Sequence, residues 1–356
     1  MSHYRREALL TLPALVTGSA GCVTITSDSD EWQLDRERLR WRYETGGRVS
    51  PSPALSDGSL YVGSHDSSLR SLDPETGTLN WQFKTDGRIW SSPAIDDETV
   101  YIGSDDDMLY AVDFDGTERW KFKTGDDVWS NPAVVDGSVY VGSYDGSVYA
   151  IDVKTGDRKW AYPAGDGVGS GPTVYDGTIY IGSRSNSLYA FTADDGTLIW
   201  EYATDDYISV DPAIDGDRVF FGSGRNRFYA LNRHDGQLVW SREVDGGINS
   251  SPAISDGTVY FGSYGGMFYA LDVATGDVRW TSNKPIGTIN CDPIVVDGTV
   301  FVGDLRGHLR AFDASTGEQL WTYRTGNAVH STPVVTDDTI YFGSNDTHVY
   351  AIERTP

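Results

Sequence analysis

The sequence has few cysteines, few lysines and no long apolar run. Its two cysteines, Cys22 and Cys291, allow at most one disulfide in 356 residues, which excludes a disulfide-stabilised scaffold. No segment reaches the ~20 consecutive apolar residues that a membrane-spanning helix needs, so an integral membrane bundle is excluded. Lysine and arginine total 28 against 52 acidic residues, which gives a net charge of −24. Because this surface repels phosphate backbones, we expect no nucleic-acid partner.

The acidic residues are mostly aspartate, with 41 aspartates and 11 glutamates, and the basic residues are mostly arginine, with 22 arginines and 6 lysines. A carboxylate-covered surface that is poor in lysine resembles proteins of salt-loving archaea, in which concentrated salt screens carboxylate repulsion. The alternative is an acidic secreted protein that does not need salt. The 39% hydrophobic and 12% aromatic content supports a substantial buried core, so the chain is not disordered.

The first residues have the layout of an export signal. Arg5-Arg6 precedes a modest apolar run, and small residues follow before Cys22. The paired arginines resemble the signal of the Tat pathway, which exports folded proteins. The residues SAGC that end at Cys22 resemble a lipobox with serine in place of the usual leucine, which predicts lipidation of Cys22. We assign residues 1–22 to this signal and 23–36 to a tether; the alternative is a frayed cytosolic N-terminus. We therefore expect an exported protein with a lipid anchor, on the outer face of the cytoplasmic membrane.

One unit of about 40 residues repeats eight times beyond the tether. A tryptophan marks each unit, at steps of 39 to 41 residues, and a proline and a glycine keep the same period. A period near 40 that continues over eight units is typical of a propeller or a solenoid. We predict that each indole packs between adjacent units and donates its N–H to a backbone acceptor. The tryptophans are Trp41, Trp81, Trp120, Trp160, Trp200, Trp240, Trp280 and Trp321.

Each unit contains strand and turn signals and shows no helical period. Four antiparallel strands within 40 residues form one blade of a propeller. In the unit that ends at Trp160 we predict strands at 130–135, 138–142, 147–151 and 158–162.

The two ends of the chain predict how the ring closes. The last unit, residues 322–356, lacks its tryptophan strand, whereas Leu39–Thr45 carries Trp41 with no unit ahead of it. We therefore predict an all-β fold over residues 37–356, an eight-bladed β-propeller of four-stranded antiparallel blades. In this fold the N-terminal strand pairs with the last blade and leaves no open edge. We expect a monomeric ring.

A segment of each unit resembles the tryptophan-docking repeat of quinoprotein (PQQ-like) propellers. Residues 150–160 (AIDVKTGDRKW) fit the pattern A-x-D-x-x-T-G-x-x-x-W, and residues 270–280 and 311–321 fit equally well. Other copies depart from it: Thr192 and Asn232 replace the aspartate, and the copy that ends at Trp120 is one residue short. The resemblance spans essentially all of residues 37–356, and it implies the same ring fold.

Two branches of that family imply different functions. Its alcohol dehydrogenases hold PQQ with a stacking tryptophan, a vicinal Cys-Cys disulfide and a calcium ion, and they are considerably longer. The other branch is the lipoprotein of the bacterial outer-membrane assembly machine, a bare ring that binds proteins. This chain has no Cys-Cys pair and no large insertion, so it is similar to the bare ring. The resemblance implies a non-enzymatic scaffold without a cofactor that binds a protein or peptide at the cell surface. The alternatives are a dehydrogenase that uses PQQ and Ca²⁺, and a ligand-sensing propeller.

Two loop positions in each unit vary while the positions around them stay constant. They are the third residue before the repeat proline and the residue two positions earlier. In a propeller these loops share one face around the central channel, together with the loops that join the second strand to the third. Variation within one chain is typical of a face that is adapted to a ligand or partner. The candidates from these loops are Arg88, Trp90, Trp129, Tyr207, Asn249, Asn290 and His330.

The loops between the second and third strands differ in charge around the ring. Units one to three carry aspartates, and later units carry arginines. Near Trp90 and Trp129 the arginines could receive an anionic or planar ligand, or an acidic peptide. The alternative is that they pair with surface aspartates. The aspartates are Asp66, Asp106 and Asp145, and the arginines are Arg184, Arg225, Arg227 and Arg306.

Histidine and cysteine give weaker signals. His308 and His348 occupy the same position in adjacent units, with His330 nearby, and two histidines could begin a metal site. No HExxH, CxxC or D-x-D-x-D-G pattern supports one, so we interpret these residues as loop histidines. We predict no metal site and assign no catalytic residue. We expect Cys291 to be a small buried apolar residue.

Overall fold

The structure is a computed structural model that describes residues 37–283 and 285–355. It contains eight four-stranded antiparallel sheets, and each sheet forms one blade of a ring. The predicted eight-bladed β-propeller is therefore confirmed. Cys22, Arg5-Arg6 and the tether at 23–36 lie outside the described residues. No helix within the described part of the chain is long and apolar enough to cross a membrane.

The strands follow the same order in every blade, from the channel to the rim. Blades 1 to 4 contain β2 (Ala54–Ser56), β3 (Ser59–Ser64), β4 (Ser68–Leu72), β5 (Leu79–Lys84); β6 (Ala94–Asp96), β7 (Thr99–Gly103), β8 (Met108–Asp113), β9 (Glu118–Lys123); β10 (Ala133–Val135), β11 (Ser138–Gly142), β12 (Ser147–Asp152), β13 (Arg158–Pro163); and β14 (Thr173–Tyr175), β15 (Thr178–Gly182), β16 (Ser187–Thr192), β17 (Leu198–Ala203). Blades 5 to 8 contain β18 (Ala213–Asp215), β19 (Arg218–Gly222), β20 (Arg227–Asn232), β21 (Leu238–Glu243); β22 (Ala253–Ser255), β23 (Thr258–Gly262), β24 (Phe268–Asp272), β25 (Val278–Thr281); β26 (Ile294–Val296), β27 (Thr299–Gly303), β28 (His308–Asp313), β29 (Gln319–Arg324); and β30 (Val334–Val335), β31 (Thr339–Gly343), β32 (His348–Glu353), with β1 (Leu39–Glu44) as the outer strand.

The ring closes where the two ends of the chain meet. Strand β1 pairs antiparallel with β32, in a register that places Trp41 opposite Ala351 and Glu44 opposite His348. The sheet order is β1-β32-β31-β30, so the N-terminal strand completes the last blade, as predicted.

The innermost strand of blade 3 is shorter than the sequence predicted. In blade 3 we predicted a strand at 130–135, but β10 begins at Ala133. Pro132 has no N–H for a ladder hydrogen bond, which explains the late start. Ser130 instead contributes its side chain, because its Oγ accepts a hydrogen bond from Gly142 N at 3.0 Å. The other three strands agree with the prediction to within one residue.

The core lies between adjacent blades rather than at the centre of the ring. One buried cluster joins Tyr101 and Leu109 of blade 2 to Val139 and Ile151 of blade 3. The second and third strands of each blade are almost entirely buried, whereas the outer strands alternate between exposed and partly buried residues. Since blades bury apolar surface against each other, stability depends on a complete ring.

Within the described residues, seven of the eight tryptophans donate the indole N–H to a backbone carbonyl of the next blade, as predicted. Trp120 of blade 2 donates its indole N–H to Val153 O of blade 3 at 2.9 Å. Its ring lies against Gly156 in the turn between β12 and β13, where Asp152 Oδ1 accepts hydrogen bonds from two backbone N–H groups. The departures from the repeat keep this turn: Asn232 Oδ1, for example, accepts a hydrogen bond from His234 N at 2.8 Å.

The last tryptophan has a different cover. Trp321 of blade 7 lies against the ring of Phe301, with centroids 5.8 Å apart. The guanidinium carbon of Arg38 lies 4.5 Å from the centroid of the Trp321 ring. The residue just before β1 thus covers one face of this indole.

Candidate functional site

Two sets of loops meet at one end of the channel, as the sequence predicted. One set leads into the innermost strands, and the other joins the second strand to the third. A backbone hydrogen bond links the two sets in each blade; in blade 1 it runs from His65 N to Arg48 O at 2.9 Å. We call this end of the ring the mouth. The equivalent bonds join Asp105 to Arg88, Tyr144 to Asp127, Arg184 to Gly167, Gly224 to Tyr207, Tyr264 to Gly247, Leu305 to Thr288 and Asn345 to Ala328.

A continuous row of aromatic rings lines part of the mouth. The His65 and Trp90 ring centroids are 4.0 Å apart, and Trp90 stacks on Trp129 at 5.0 Å with 25° between the planes. Trp129 contacts Tyr144 at 4.6 Å and donates its indole N–H to Asp105 Oδ1 at 2.6 Å. The structure therefore brings Trp90 and Trp129 together, and it adds residues that the sequence had not indicated.

Arg184 extends this row into blade 5. Its guanidinium carbon lies 5.6 Å from the centroid of the Tyr144 ring and 5.9 Å from that of Tyr207. We call His65, Trp90, Trp129, Tyr144, Arg184 and Tyr207 the aromatic arc. It spans blades 1 to 5 and contains four of the predicted candidates, Trp90, Trp129, Arg184 and Tyr207.

Glycines give the tyrosine rings room to lie across the loops. A Cβ on Gly169 would come 3.2 Å from the Tyr144 hydroxyl oxygen, and a Cβ on Gly224 would come 2.5 Å from the Tyr207 ring. In blade 6, Asn249 Nδ2 donates to the Tyr264 hydroxyl at 2.8 Å. The aromatic surface of the mouth is thus built from paired positions, a large ring in one loop and a small residue in the next.

The mouth between blades 7 and 2 is polar and basic. Asn290 Nδ2 lies 3.2 Å from His330 Nδ1, and Arg48 and Arg88 extend into solvent beside them. Burial and the charges of Arg88 and Arg48 lower the pKa of His65 to about 4. Burial and the charge of Arg48 also lower the pKa of His330. Both imidazoles are therefore neutral at pH 7.

Some polar side-chain atoms at the mouth are buried and have no hydrogen-bond partner among the described residues. Within this part of the chain they are His65 Nε2 and Asn249 Oδ1, and a third such atom, Ser104 Oγ, lies at the base of a mouth loop. Buried polar groups in folded proteins are normally paired, so an unpaired one requires an explanation. Hydrogen bonds from a ligand at the mouth would be one such explanation.

A ring of hydrogen bonds surrounds the channel below the mouth. In six of the eight described positions, the residue before the repeat proline donates its backbone N–H to the side chain at the same position in the next blade, as Ser52 N does to Ser92 Oγ at 3.0 Å. Where blade 4 has Gly171, Asn131 Nδ2 instead reaches Asp211 Oδ2 at 2.9 Å. We call this the throat ring. Its members are Ser52, Ser92, Asn131, Gly171, Asp211, Ser251, Asp292 and Thr332.

The throat ring holds two carboxyl groups, Asp211 and Asp292. Burial and the negative charge of Asp211 raise the pKa of Asp292 to about 7. Burial also raises the pKa of Asp211, although a hydrogen bond from Asn131 opposes the rise. The throat ring therefore changes its charge near neutral pH.

The loop aspartates of blades 1 to 3 have structural roles. Asp66 forms a bidentate pair with buried Arg70, Asp106 Oδ2 accepts hydrogen bonds from Asp86 N and from the Tyr110 hydroxyl, and Asp145 Oδ2 accepts them from Gly125 N and the Tyr149 hydroxyl. These carboxylates hold the end of one blade against the start of the next.

A different acidic group lies beside the aromatic arc. Carboxylate oxygens of Asp107, Asp126 and Asp127 all lie within 4.8 Å of one another. Burial, together with the charges of Asp105 and its neighbours, raises the pKa of Asp127. These positions could accept a cation, but exposed acidic groups are common in a chain this acidic.

The other candidates lie apart from the arc. Arg227 forms a salt bridge with Glu243 at 2.8 Å, whereas Arg184, Arg225 and Arg306 form none with any described residue. Arg225 and Arg306 are exposed. Among the described residues, none of these four arginines forms a salt bridge with an aspartate, which was the alternative interpretation.

The remaining histidines and Cys291 lie in structural contacts. His308 Nδ1 lies 3.1 Å from Asp304 Oδ2, and His348 Nδ1 lies 3.0 Å from Asp346 O, so each contacts its own loop. Cys291 is a buried free thiol, as predicted, and burial raises its pKa.

The sequence contained a signal for the residues that it missed. His65, Tyr144 and Tyr264 all follow a Gly-Ser pair at the end of the second strand, which seven units have and which is Gly303-Asp304 in the other. That position varies strongly along the chain, as His, Asp, Tyr, Arg, Gly, Tyr, Leu and Asn. Most of the residues that the sequence analysis named in this loop are the next residue along the chain. The aspartates at that next position have structural roles.

Comparisons with known proteins agree with this architecture. Residues 12–90, 66–206 and 163–355 match the model of a family described as outer membrane protein assembly factor BamB. No curated protein matches the chain. Among solved structures, BamB from Moraxella catarrhalis has a TM-score of 0.78 and 17% identity, and the match covers 88% of this chain and 99% of that one.

Enzymes and a designed protein share the same ring. The quinohemoprotein alcohol dehydrogenase of Comamonas testosteroni has a TM-score of 0.74 and 17% identity, with 88% of this chain and 76% of that chain covered. The computationally designed protein Ika8 has a TM-score of 0.81 and 16% identity, with 89% and 99% covered. At these identities the likeness establishes the fold and leaves the function open.

Proposed function

This chain belongs to the family of the outer membrane protein assembly factor BamB, and from that membership we propose that it is a non-enzymatic scaffold that binds a protein or peptide. The proposal includes export and a lipid anchor, so that the ring acts at the cell surface. Arg5-Arg6 and Cys22 support the export and the anchor, because they have the layout of a signal and a lipidation site.

The observation that carries the proposal is the aromatic arc. Its members stand at variable loop positions of a ring whose other positions repeat, and consecutive rings lie 4.0 to 5.0 Å apart from His65 to Tyr144. Tryptophan, tyrosine and arginine are the residues that most often dominate the energy of protein interfaces. A continuous surface of these residues beside unpaired polar atoms suits a peptide segment better than a small reactive substrate.

In-cell photo-crosslinking tests this proposal. A photoreactive amino acid at Arg184, which is exposed within the arc, should give a discrete covalent adduct with a partner protein. The same amino acid at Arg158, exposed on the outer strand β13, is the control and should not give that adduct. Replacing Tyr207 with alanine in the Arg184 background should weaken the adduct. Equal labelling from both positions, or no adduct from Arg184, would contradict a binding face at the mouth.

A PQQ-dependent dehydrogenase remains a second candidate, because the quinohemoprotein enzyme shares the fold and an acidic group lies near the arc. The indoles fit the cofactor poorly. Trp90 contacts both His65 and Trp129, and Trp129 contacts both Trp90 and Tyr144. A quinone would have to displace one of these rings to stack on an indole. We therefore derive no reaction step through PQQ.

A titration separates the two candidates. The purified protein, in concentrated KCl, is mixed with PQQ and Ca²⁺, and binding and dye reduction by alcohols are measured. We expect neither saturable PQQ binding nor dye reduction. Tight binding together with alcohol-dependent dye reduction would replace the scaffold proposal with the enzyme.

A further inference from the structure

We propose that the basic part of the mouth, formed by His65, His330, Arg48 and Arg88, binds a carboxylate group of the peptide partner. The inference rests on the proposed function, because it names the chemical group by which the peptide would be recognised. We call these four residues the carboxylate site. It adjoins the aromatic arc directly, since His65 belongs to both.

The two arginines give this site a local positive charge, which the nearby carboxylate of Asp105 offsets in part at Arg88. Arg48 and Arg88 occupy the same loop position in blades 1 and 2, and both side chains are exposed. Neither forms a salt bridge with a described residue. In a protein of net charge −24, two guanidinium groups without a salt bridge to a described residue attract an anion locally against the overall repulsion. Guanidinium donors match the planar geometry of a carboxylate.

The two histidines add neutral hydrogen-bond donors. His65 is fixed by its contact with Trp90 and by the hydrogen bond from its backbone N–H to Arg48 O at 2.9 Å. Its Nε2 atom is buried and has no partner. His330 is held by Asn290, whose Nδ2 lies 3.2 Å from His330 Nδ1. A carboxylate can only accept hydrogen bonds, so it complements an imidazole N–H and guanidinium donors together.

The charges that act on His65 disfavour a cation as the ligand. The groups that act on it are Arg88, Arg48 and His330, and all three disfavour additional positive charge. An anion reverses this effect, because its charge favours the protonated imidazole. Binding of a carboxylate therefore predicts that the pKa of both histidines rises, which a merely structural contact would not produce.

Three synthetic tetrapeptides of one sequence test the proposal. The first has a free C-terminal carboxylate, the second is amidated and has no carboxylate, and the third is amidated with one internal residue replaced by aspartate. Each is titrated into the protein while the histidine ring signals are followed by NMR as a function of pH. We expect a carboxylate-bearing peptide to bind and to raise the pKa of His65 and His330, and the second peptide to do neither. The first and third peptides distinguish a terminal carboxylate from a side-chain carboxylate.

Paired variants show where the carboxylate binds. R48Q/R88Q removes two charges from the site and should raise the dissociation constant about tenfold or more. R42Q/R158Q removes two charges from exposed positions on the outer strands β1 and β13 and should leave it unchanged. Equal melting temperatures show that both variants are folded. Undiminished binding to R48Q/R88Q, or equal binding of the carboxylate-free peptide, overturns the proposal.

The two proposals can fail separately. If the cross-link at Arg184 forms but no carboxylate-bearing peptide affects the histidines, the scaffold function stands and the carboxylate site is wrong. If the peptides bind as expected but no cellular adduct forms, the carboxylate site stands and the scaffold function is wrong.

Discussion

Gly156 shows how closely each indole packs against the next blade. Its φ is +74°, and a Cβ placed there would come 2.9 Å from Cγ and Cδ2 of Trp120. Gly137 is a matched control, because its φ is +73° but a Cβ there would meet nothing within 4 Å. The two positions therefore separate the cost of backbone conformation from the cost of overlap with the indole.

Alanine at Gly156 should destabilise the ring more than alanine at Gly137. The left-handed conformation alone costs roughly 1–2 kcal/mol for alanine, and overlap in a well-packed contact adds roughly 1–3 kcal/mol. Urea unfolding of the wild type and both variants measures the free energies of unfolding. Equal losses in the two variants would show that Trp120 does not confine Gly156.

Asp292 predicts a pH dependence that belongs to the throat ring. Its pKa rises from 3.8 to about 7 on folding, because of burial and the charge of Asp211. The folded state therefore binds the proton more tightly, so its contribution to stability is complete below pH 3.8 and is lost as the pH rises to about 7. Asparagine at 292 retains an acceptor for Ser251 N but cannot ionise.

The melting temperature of the wild type should therefore fall relative to that of D292N between pH 4 and 7. The control is D157N, which removes an exposed carboxyl group from a surface turn and should follow the wild type. If the melting temperatures of wild type and D292N changed in parallel with pH, ionisation of Asp292 would not destabilise the folded state.

At the residue scale, the sequence predicted the scaffold better than the site. Trp120 was predictable because one residue type repeats at one spacing and performs one role. His65 was not, because its role depends on a contact with Trp90 of the next blade and on an unpaired nitrogen, and both exist only after the loops meet. The role of Asp66 was not predictable either, since the sequence shows only an acidic loop residue and the structure shows a carboxylate bonded to Arg70.

At the element scale, β1 is the strand that makes the ring complete. It covers the edge of β32, and Trp41 donates its indole N–H to Pro74 O of blade 1 at 2.8 Å. The sequence predicted this closure because the last unit lacked one strand. It did not predict the start of the inner strands, because proline and a serine side chain replace the first ladder bonds there.

Removal of residues 1–45 should open the ring. Without β1 the edge of β32 is unpaired, and the surface of blade 1 that Trp41 covered is exposed. We expect these losses to lower the free energy of unfolding by at least ~3 kcal/mol and the open edge to promote association between chains. Light scattering and urea unfolding, compared with the full chain, measure both effects. A synthetic peptide of residues 37–45 should restore the monomer, and the same peptide with Trp41→Ala should restore it less well. A truncated chain that stays monomeric and equally stable would contradict closure by β1.

At the scale of the whole molecule, the dominant property is a net charge of −24. The described salt bridges include several whose partners are both exposed, such as Arg242 with Asp277 at 3.9 Å. Exposed pairs of this kind contribute little, so they do not offset the repulsion among the remaining carboxylates. The carboxylates repel one another, and a closed ring cannot expand to increase the distances between them.

The melting temperature should therefore rise steeply with KCl. Screening shortens the range of the repulsion from about 10 Å at 0.1 M salt to about 3 Å at 1 M, which relieves the folded state more than the expanded unfolded chain. Sucrose at matched osmolality is the control, because it stabilises by exclusion from the surface without screening charge. A larger rise in KCl than in sucrose supports adaptation to concentrated salt. A melting temperature that is as high in dilute buffer as in molar KCl would mean that the aspartate-rich surface is merely acidic.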